Sequence, residues 1–174
     1  MNKHGMIIGL SALVALMLFC VGSAAAAPEY LQLKAEVGKA YEVKGRWDSG
    51  GYFLAVDIQE LPNPRRPKLR AEIQELDSIK QTIHVLGRRI EVEPDTEFLG
   101  EEGAGSGFNF LHKGQRIEVT CKIDADDGEW EAVNIETVNV KASDKIKGTI
   151  SRVQIDGKSP DTLDMYGLII LLTN

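Results

Sequence analysis

Cysteine is nearly absent from this 174-residue chain, which has only Cys20 and Cys121. Cys20 falls inside an N-terminal apolar run, so the rest of the chain carries one thiol and no internal disulfide framework. Cys121 has no C-x-x-C partner and no C-H heme signature, which removes the common zinc, redox and heme motifs. Beyond His4 there are two histidines, His84 and His112, and neither has a second ligand-type residue at metal spacing. Aromatic residues are 6% of the chain, with no cluster that reads as a base-stacking platform. Positive charge is in deficit, with 20 Lys and Arg against 26 Asp and Glu. That balance argues against a general nucleic-acid binder, whose affinity rests on cations against phosphates. No long segment shows the 3.6-residue period of an amphipathic helix. Long apolar runs are confined to residues 7–21, since LIILL at 168–172 is far too short to span a bilayer.

What is present begins with an export signal. Lys3, the run IIGLSALVALMLFCV and the small residues Ala24 to Ala27 have the order of a secretory signal peptide. Ala24 and Ala26 fit the A-x-A rule, placing the cut between Ala26 and Ala27 and giving a leader of 1–26. Lipoprotein processing at Cys20 is disfavoured by Leu18 and Phe19 before it, and an uncleaved anchor is the other alternative. Lys3 is the one Lys or Arg in the leader, and no Asp or Glu lies there. The remainder therefore holds 19 basic and 26 acidic side chains. The full chain's 26% charged and 43% apolar composition reads as globular. The expected location is periplasmic or extracellular in a bacterium, with no membrane span once the leader is removed.

After a linker at 27–37, period-two alternation dominates. Ile117, Val119, Cys121 and Ile123 share one face of a strand, and Glu118, Thr120 and Lys122 take the other. Further strands are expected at 41–47, 52–60, 68–77, 81–86, 88–93, 129–139, 145–155, 162–166 and 168–172, with a helical turn near 108–112. An internal repeat is also legible. Residues 37–61 align with 113–138, bringing Glu42 and Val43 onto Glu118 and Val119, and Asp48 onto Asp124. Lys68 then falls on Lys145, Ile73 on Ile150, Thr82 on Thr162 and Gly87 on Gly167. The order is a half-repeat at 38–61, a complete unit at 68–139 and a second half-repeat at 145–174. The complete unit has the strand order of the OB-fold, a five-stranded Greek-key barrel. The two halves are expected to pair with each other as a second, permuted barrel. One larger sheet, or pairing with another copy in a homo-oligomer, is the alternative.

The short motifs of 68–139 resemble a bacterial exported family, the domain of unknown function 5666 family. They are Lys68–Ile73 (with Ala71 where the family has glycine), Thr82–Gly87, Thr96–Phe98, Gly114–Val119 and Ala132–Ile135. Gly148 restores the glycine in the C-terminal half. The resemblance implies an exported OB-like barrel and brings no catalytic residue, cofactor or ligand with it.

Several residues invite chemistry. OB-folds bind ligands along strands 2 and 3 and through neighbouring loops. That maps a binding face onto Lys80, His84, Arg88 and Arg89, beside Glu91. Trp47 and Phe53 lie in the other half-unit, away from that face. The turn Asp124, Asp126, Asp127 and Glu129 offers carboxylates to calcium, but it departs from the EF-hand order, and the matching turn at Asp48 has one carboxylate. A plain hairpin turn is the preferred reading, with Asp and Gly there for backbone reasons. Pro62 to Lys68 reads as a stiff basic connector or as a docking segment. No nucleophile–base set stands out. The expectation is a non-catalytic envelope module, without a cofactor, that binds a protein partner or polar ligand. The alternatives are a cation or polyanion binder, and a structural subunit that assembles by strand addition.

Overall fold

The computed structural model describes residues 35–63, 66–99, 107–155 and 160–172. The expected leader with its Ala26/Ala27 cut, most of the 27–37 linker and residues 100–106 lie outside the described residues. Twelve strands follow in chain order: β1 Ala40–Trp47, β2 Phe53–Leu61, β3 Lys68–Asp77, β4 Thr82–Val85, β5 Arg88–Glu91, β6 Glu97–Leu99, β7 Arg116–Ile123, β8 Trp130–Thr137, β9 Asp144–Thr149, β10 Arg152–Gln154, β11 Asp161–Met165 and β12 Leu168–Leu172. The turn expected near 108–112 is a 3-10 turn at Phe108–Phe110.

β3, β4, β5, β8 and β7 close a mixed five-stranded barrel, which fits an OB-like fold. Its one parallel contact is β5 with β8, and β7 returns antiparallel to β3. Alternation explains the inside. Leu69, Ala71 and Ile73 of β3, Ile83 and Val85 of β4, and Ile117, Val119 and Cys121 of β7 are buried together. Removing such side chains from water stabilises the fold by about 1.5–3 kcal/mol for each large one. β6, absent from the sequence expectation, follows β5 along the same edge of β8, also in parallel. With three residues it is too short to show a period. Thr96 fixes it by donating its hydroxyl to the Ala132 carbonyl at 2.9 Å.

The flanking segments form a second circuit. β9 pairs β1, β1 pairs β2, β2 runs parallel to β12, and β12, β11 and β10 follow antiparallel. The registers of the two circuits correspond. β7 and β8 align Val119 with Ile135 and bulge between Thr120 and Cys121. β1 and β2 align Val43 with Ile58 and bulge between Lys44 and Gly45. Ile90 lies opposite Trp130 in one parallel contact, and Ile170 opposite Phe53 in the other. LIILL is thereby covered, with Leu168, Ile170 and Leu172 buried.

The expected strand at 145–155 is broken at Ile150 and Ser151. Ile150 exchanges backbone hydrogen bonds with Gly38 and Lys39, whereas the Ser151 N–H goes to Asp164. The chain changes partner there, so one straight ladder cannot run through. β3 turns the same corner with a bulge between Ile73 and Glu75. The circuits join where β3 meets β9 antiparallel, with Lys68 opposite Lys147, Leu69 opposite Ile146 and Arg70 opposite Lys145.

Candidate ligand-binding surfaces

The face expected on β4 and β5 does not assemble as one patch. His84 and Arg89 are cross-strand neighbours on its outer side. Arg89 is closed off: its guanidinium reaches Glu91 at 2.5 Å and Glu129 at 3.0 Å. Desolvation and the neighbouring Glu129 raise the Glu91 carboxyl. Lys80 sits in the turn capped by Asp77, whose carboxylate accepts the Ile79 and Lys80 N–H groups. Arg88 belongs to the opposite row, with buried Ile90. Adjacent strand residues point to opposite faces, so Arg88 and Arg89 cannot act together.

The acidic turn serves its own backbone. Asp124 accepts from the Asp126 N–H at 2.6 Å, and Asp127 accepts from the Glu129 N–H at 2.9 Å. Glu129 is committed to Arg89. Among the described residues no group of three or more His, Cys, Asp or Glu gathers as a metal site. Cys121 is fully buried, and desolvation pushes its thiol far up, out of reach of thiolate chemistry.

A surface not anticipated from the sequence lies where the circuits join. The strands β2, β1, β9, β3, β7 and β8 form one antiparallel run, and the outward residues line up in two cross-strand rows. One row reads Asp57, Lys44, Lys145, Arg70, Glu118 and Glu136. The other reads Gln59, Glu42, Lys147, Lys68, Thr120 and Asn134. Two glutamates hold the centre. Glu118 receives Lys68 at 3.0 Å, Lys145 at 3.1 Å and the Arg70 Nε at 2.6 Å. Glu42 receives Lys147 at 2.7 Å and Lys145 at 3.8 Å. Burial alone would raise the Glu118 carboxyl, but its hydrogen bonds to Lys68, Lys145 and Arg70 outweigh that and bring it down to about 2. Burial lowers the Lys145 ammonium, and Glu118 opposes the shift. At one flank Arg116 pairs with Asp144, whose other oxygen accepts the Trp47 N–H.

Beside these rows, a cleft of about 360 Å³ opens between the sheet and the connector after β2. Arg66, Lys68, Lys147 and Thr120 line it on the polar side, and Leu61 and Pro62 on the apolar side. Arg66 is exposed and makes no ion pair with any described residue. The arrangement offers charge and hydrogen-bond donors to an anion. The signal was in the sequence as the aligned pairs Lys68/Lys145 and Glu42/Glu118. Only the β3–β9 contact turns them into neighbours.

A second cleft, of about 320 Å³, brings Arg88 to Trp47 from the other circuit. Desolvation lowers the Arg88 guanidinium, with Asp164 opposing.

Residues 70–136 match the family described as Domain of unknown function (DUF5666). That span runs from β3 into β8 and takes in nearly the whole closed barrel. The DUF5666 match leaves β1, β2 and β9 to β12 outside it. No curated protein and no solved structure matches the chain.

Proposed function

We propose that this chain is an exported, non-catalytic module of the bacterial envelope, and that it binds an anionic ligand on the face shared by the two circuits. The convergence of Arg66, Lys68 and Lys147 on one open cleft carries the reading. In a chain with more acidic than basic side chains, that concentration of cations makes a local positive field, which attracts anions. Glu42 and Glu118 hold the lysines in place, and Arg66 has no ion-pair partner among the described residues. Among the described residues the lining offers cations and hydrogen-bond donors, and the reading is binding and not turnover. The matching registers of the two circuits support an internal duplication as the origin of the face, since it forms where copies meet.

Dextran sulfate is a suitable probe. Binding is expected to weaken as salt rises. Arg66→Glu, an exposed change, is expected to weaken it roughly threefold to tenfold at low salt with the melting temperature unchanged. Binding that ignores both salt and Arg66→Glu would overturn the proposal.

A further inference from the structure

We infer that the cleft between Trp47 and Arg88 is a separate binding site, built for a compact carboxylate carried on an apolar body. This goes beyond the anion face at the β3–β9 contact, because the two clefts share no lining residue. The cleft holds about 320 Å³, enough for a small ligand, and is walled by Trp47, Leu86, Gly87, Arg88, Gly167 and Leu168.

Arg88 is the reason to expect an anion. Its side chain stands in the row of Ile90 and is partly buried. Among the described residues no hydrogen bond or ion pair reaches its guanidinium, and its Nε is shut off from solvent without an acceptor. Asp164 is the negative charge that acts on it. The Asp164 Oδ1, however, already accepts the Ser151 hydroxyl at 2.7 Å and the Gly167 N–H at 2.6 Å. Arg70, Arg89 and Arg116 each have a carboxylate partner. A guanidinium partly drawn out of water without an acceptor is costly. A ligand carboxylate entering the cleft supplies one, in the paired geometry that guanidinium groups favour.

The walls specify the rest of the ligand. Trp47 and Ile169 present apolar surface beside the charge, over the buried Leu86 and Leu168. Gly87 and Gly167 seat the two decisive side chains. A Cβ at Gly87 would stand 2.7 Å from the Trp47 ring, and one at Gly167 would stand 2.8 Å from the Arg88 Nη2. Both glycines also have positive φ, so substitution there is strained as well as crowded. The ligand is thus an aryl or alkyl carboxylate, either a free acid or the C-terminus of a peptide.

Two-dimensional NMR of the folded protein tests this through its two indole N–H signals, assigned with Trp47→Phe. Benzoate represents the free acid, and N-acetyl-phenylalanine the peptide terminus. The expected result is that at least one of them moves the Trp47 signal and leaves that of Trp130, with a Kd of about 1 mM or tighter. The tighter of the two identifies the source. Benzamide and N-acetyl-phenylalaninamide, which lack the charge, are expected to bind at least about tenfold more weakly, and Arg88→Gln to weaken the acids by a similar factor. Equal responses to acids and amides, no Trp47 response to either acid, or acid binding that survives Arg88→Gln would overturn the inference. The acid–amide comparison on the unaltered protein decides the matter even if Arg88→Gln does not fold.

Discussion

Glu118 shows how one residue can hold two circuits together. It belongs to β7 of the closed barrel, yet one of its three cations, Lys145, comes from β9 of the second circuit. Removing one partner from a buried charge cluster leaves the others uncompensated, which costs several kcal/mol. Glu118→Gln is therefore expected to lower stability by about 3 kcal/mol at neutral pH, measured by urea unfolding. The sign of the pH dependence follows from the depressed carboxyl. Its contribution is full above the ordinary value of 4.5 and is lost as pH falls towards about 2. The native protein should lose stability through that window, and Glu118→Gln should lose less over the same range. At this scale the sequence spoke only partly. Cys121 as a small buried residue and the 124–129 turn as a backbone device followed from alternation and turn chemistry. The OB-fold mapping puts Arg88 and Arg89 on one face, although the two-residue period assigns them to opposite faces.

Among the elements, the two hairpin tips are the most informative. Val85 pairs Arg88 across Leu86-Gly87, and Met165 pairs Leu168 across Tyr166-Gly167. All four tip residues have positive φ, including Leu86 at 49° and Tyr166 at 55°. Such two-residue turns favour Asn or Asp before Gly, so Leu and Tyr pay a conformational cost there. Packing across the circuits offsets it. Leu86 is fully buried. Tyr166 meets Trp130 edge-on at 6.0 Å and accepts the Thr149 N–H at 3.2 Å. Tyr166→Asn sets the two effects against each other. It improves the turn but forfeits the ring, and the expected net is a loss of about 1–2 kcal/mol by thermal unfolding. A gain in stability would mean that the tip does not hold the circuits together. Alternation located most strands but not β6 or the break at Ile150 and Ser151. A three-residue strand has no period to detect, and the break depends on which neighbour each N–H finds.

For the whole molecule, contacts distant in sequence decide the architecture. The alignment of 37–61 with 113–138 sets Val43 on Val119 and Ile58 on Ile135, and in the ladders Val43 lies opposite Ile58 and Val119 opposite Ile135. The β3–β9 contact and the two clefts were not legible, because they arise only when the circuits meet. Arg88 and Trp47 lie in different units of the sequence and on the same cleft in space. The single-chain fold rests on β1 and β2 closing with β9 to β12 of the same chain. An exchange of these halves between two chains would preserve every local pairing and change only the stoichiometry. The solution mass, measured by light scattering across a wide concentration range, separates the two cases. The pairing of β1 with β9 and of β2 with β12 inside one chain predicts the mass of a single chain throughout. A stable dimer, or a mass that rises with concentration, would contradict it and make strand exchange between copies the basis of the fold.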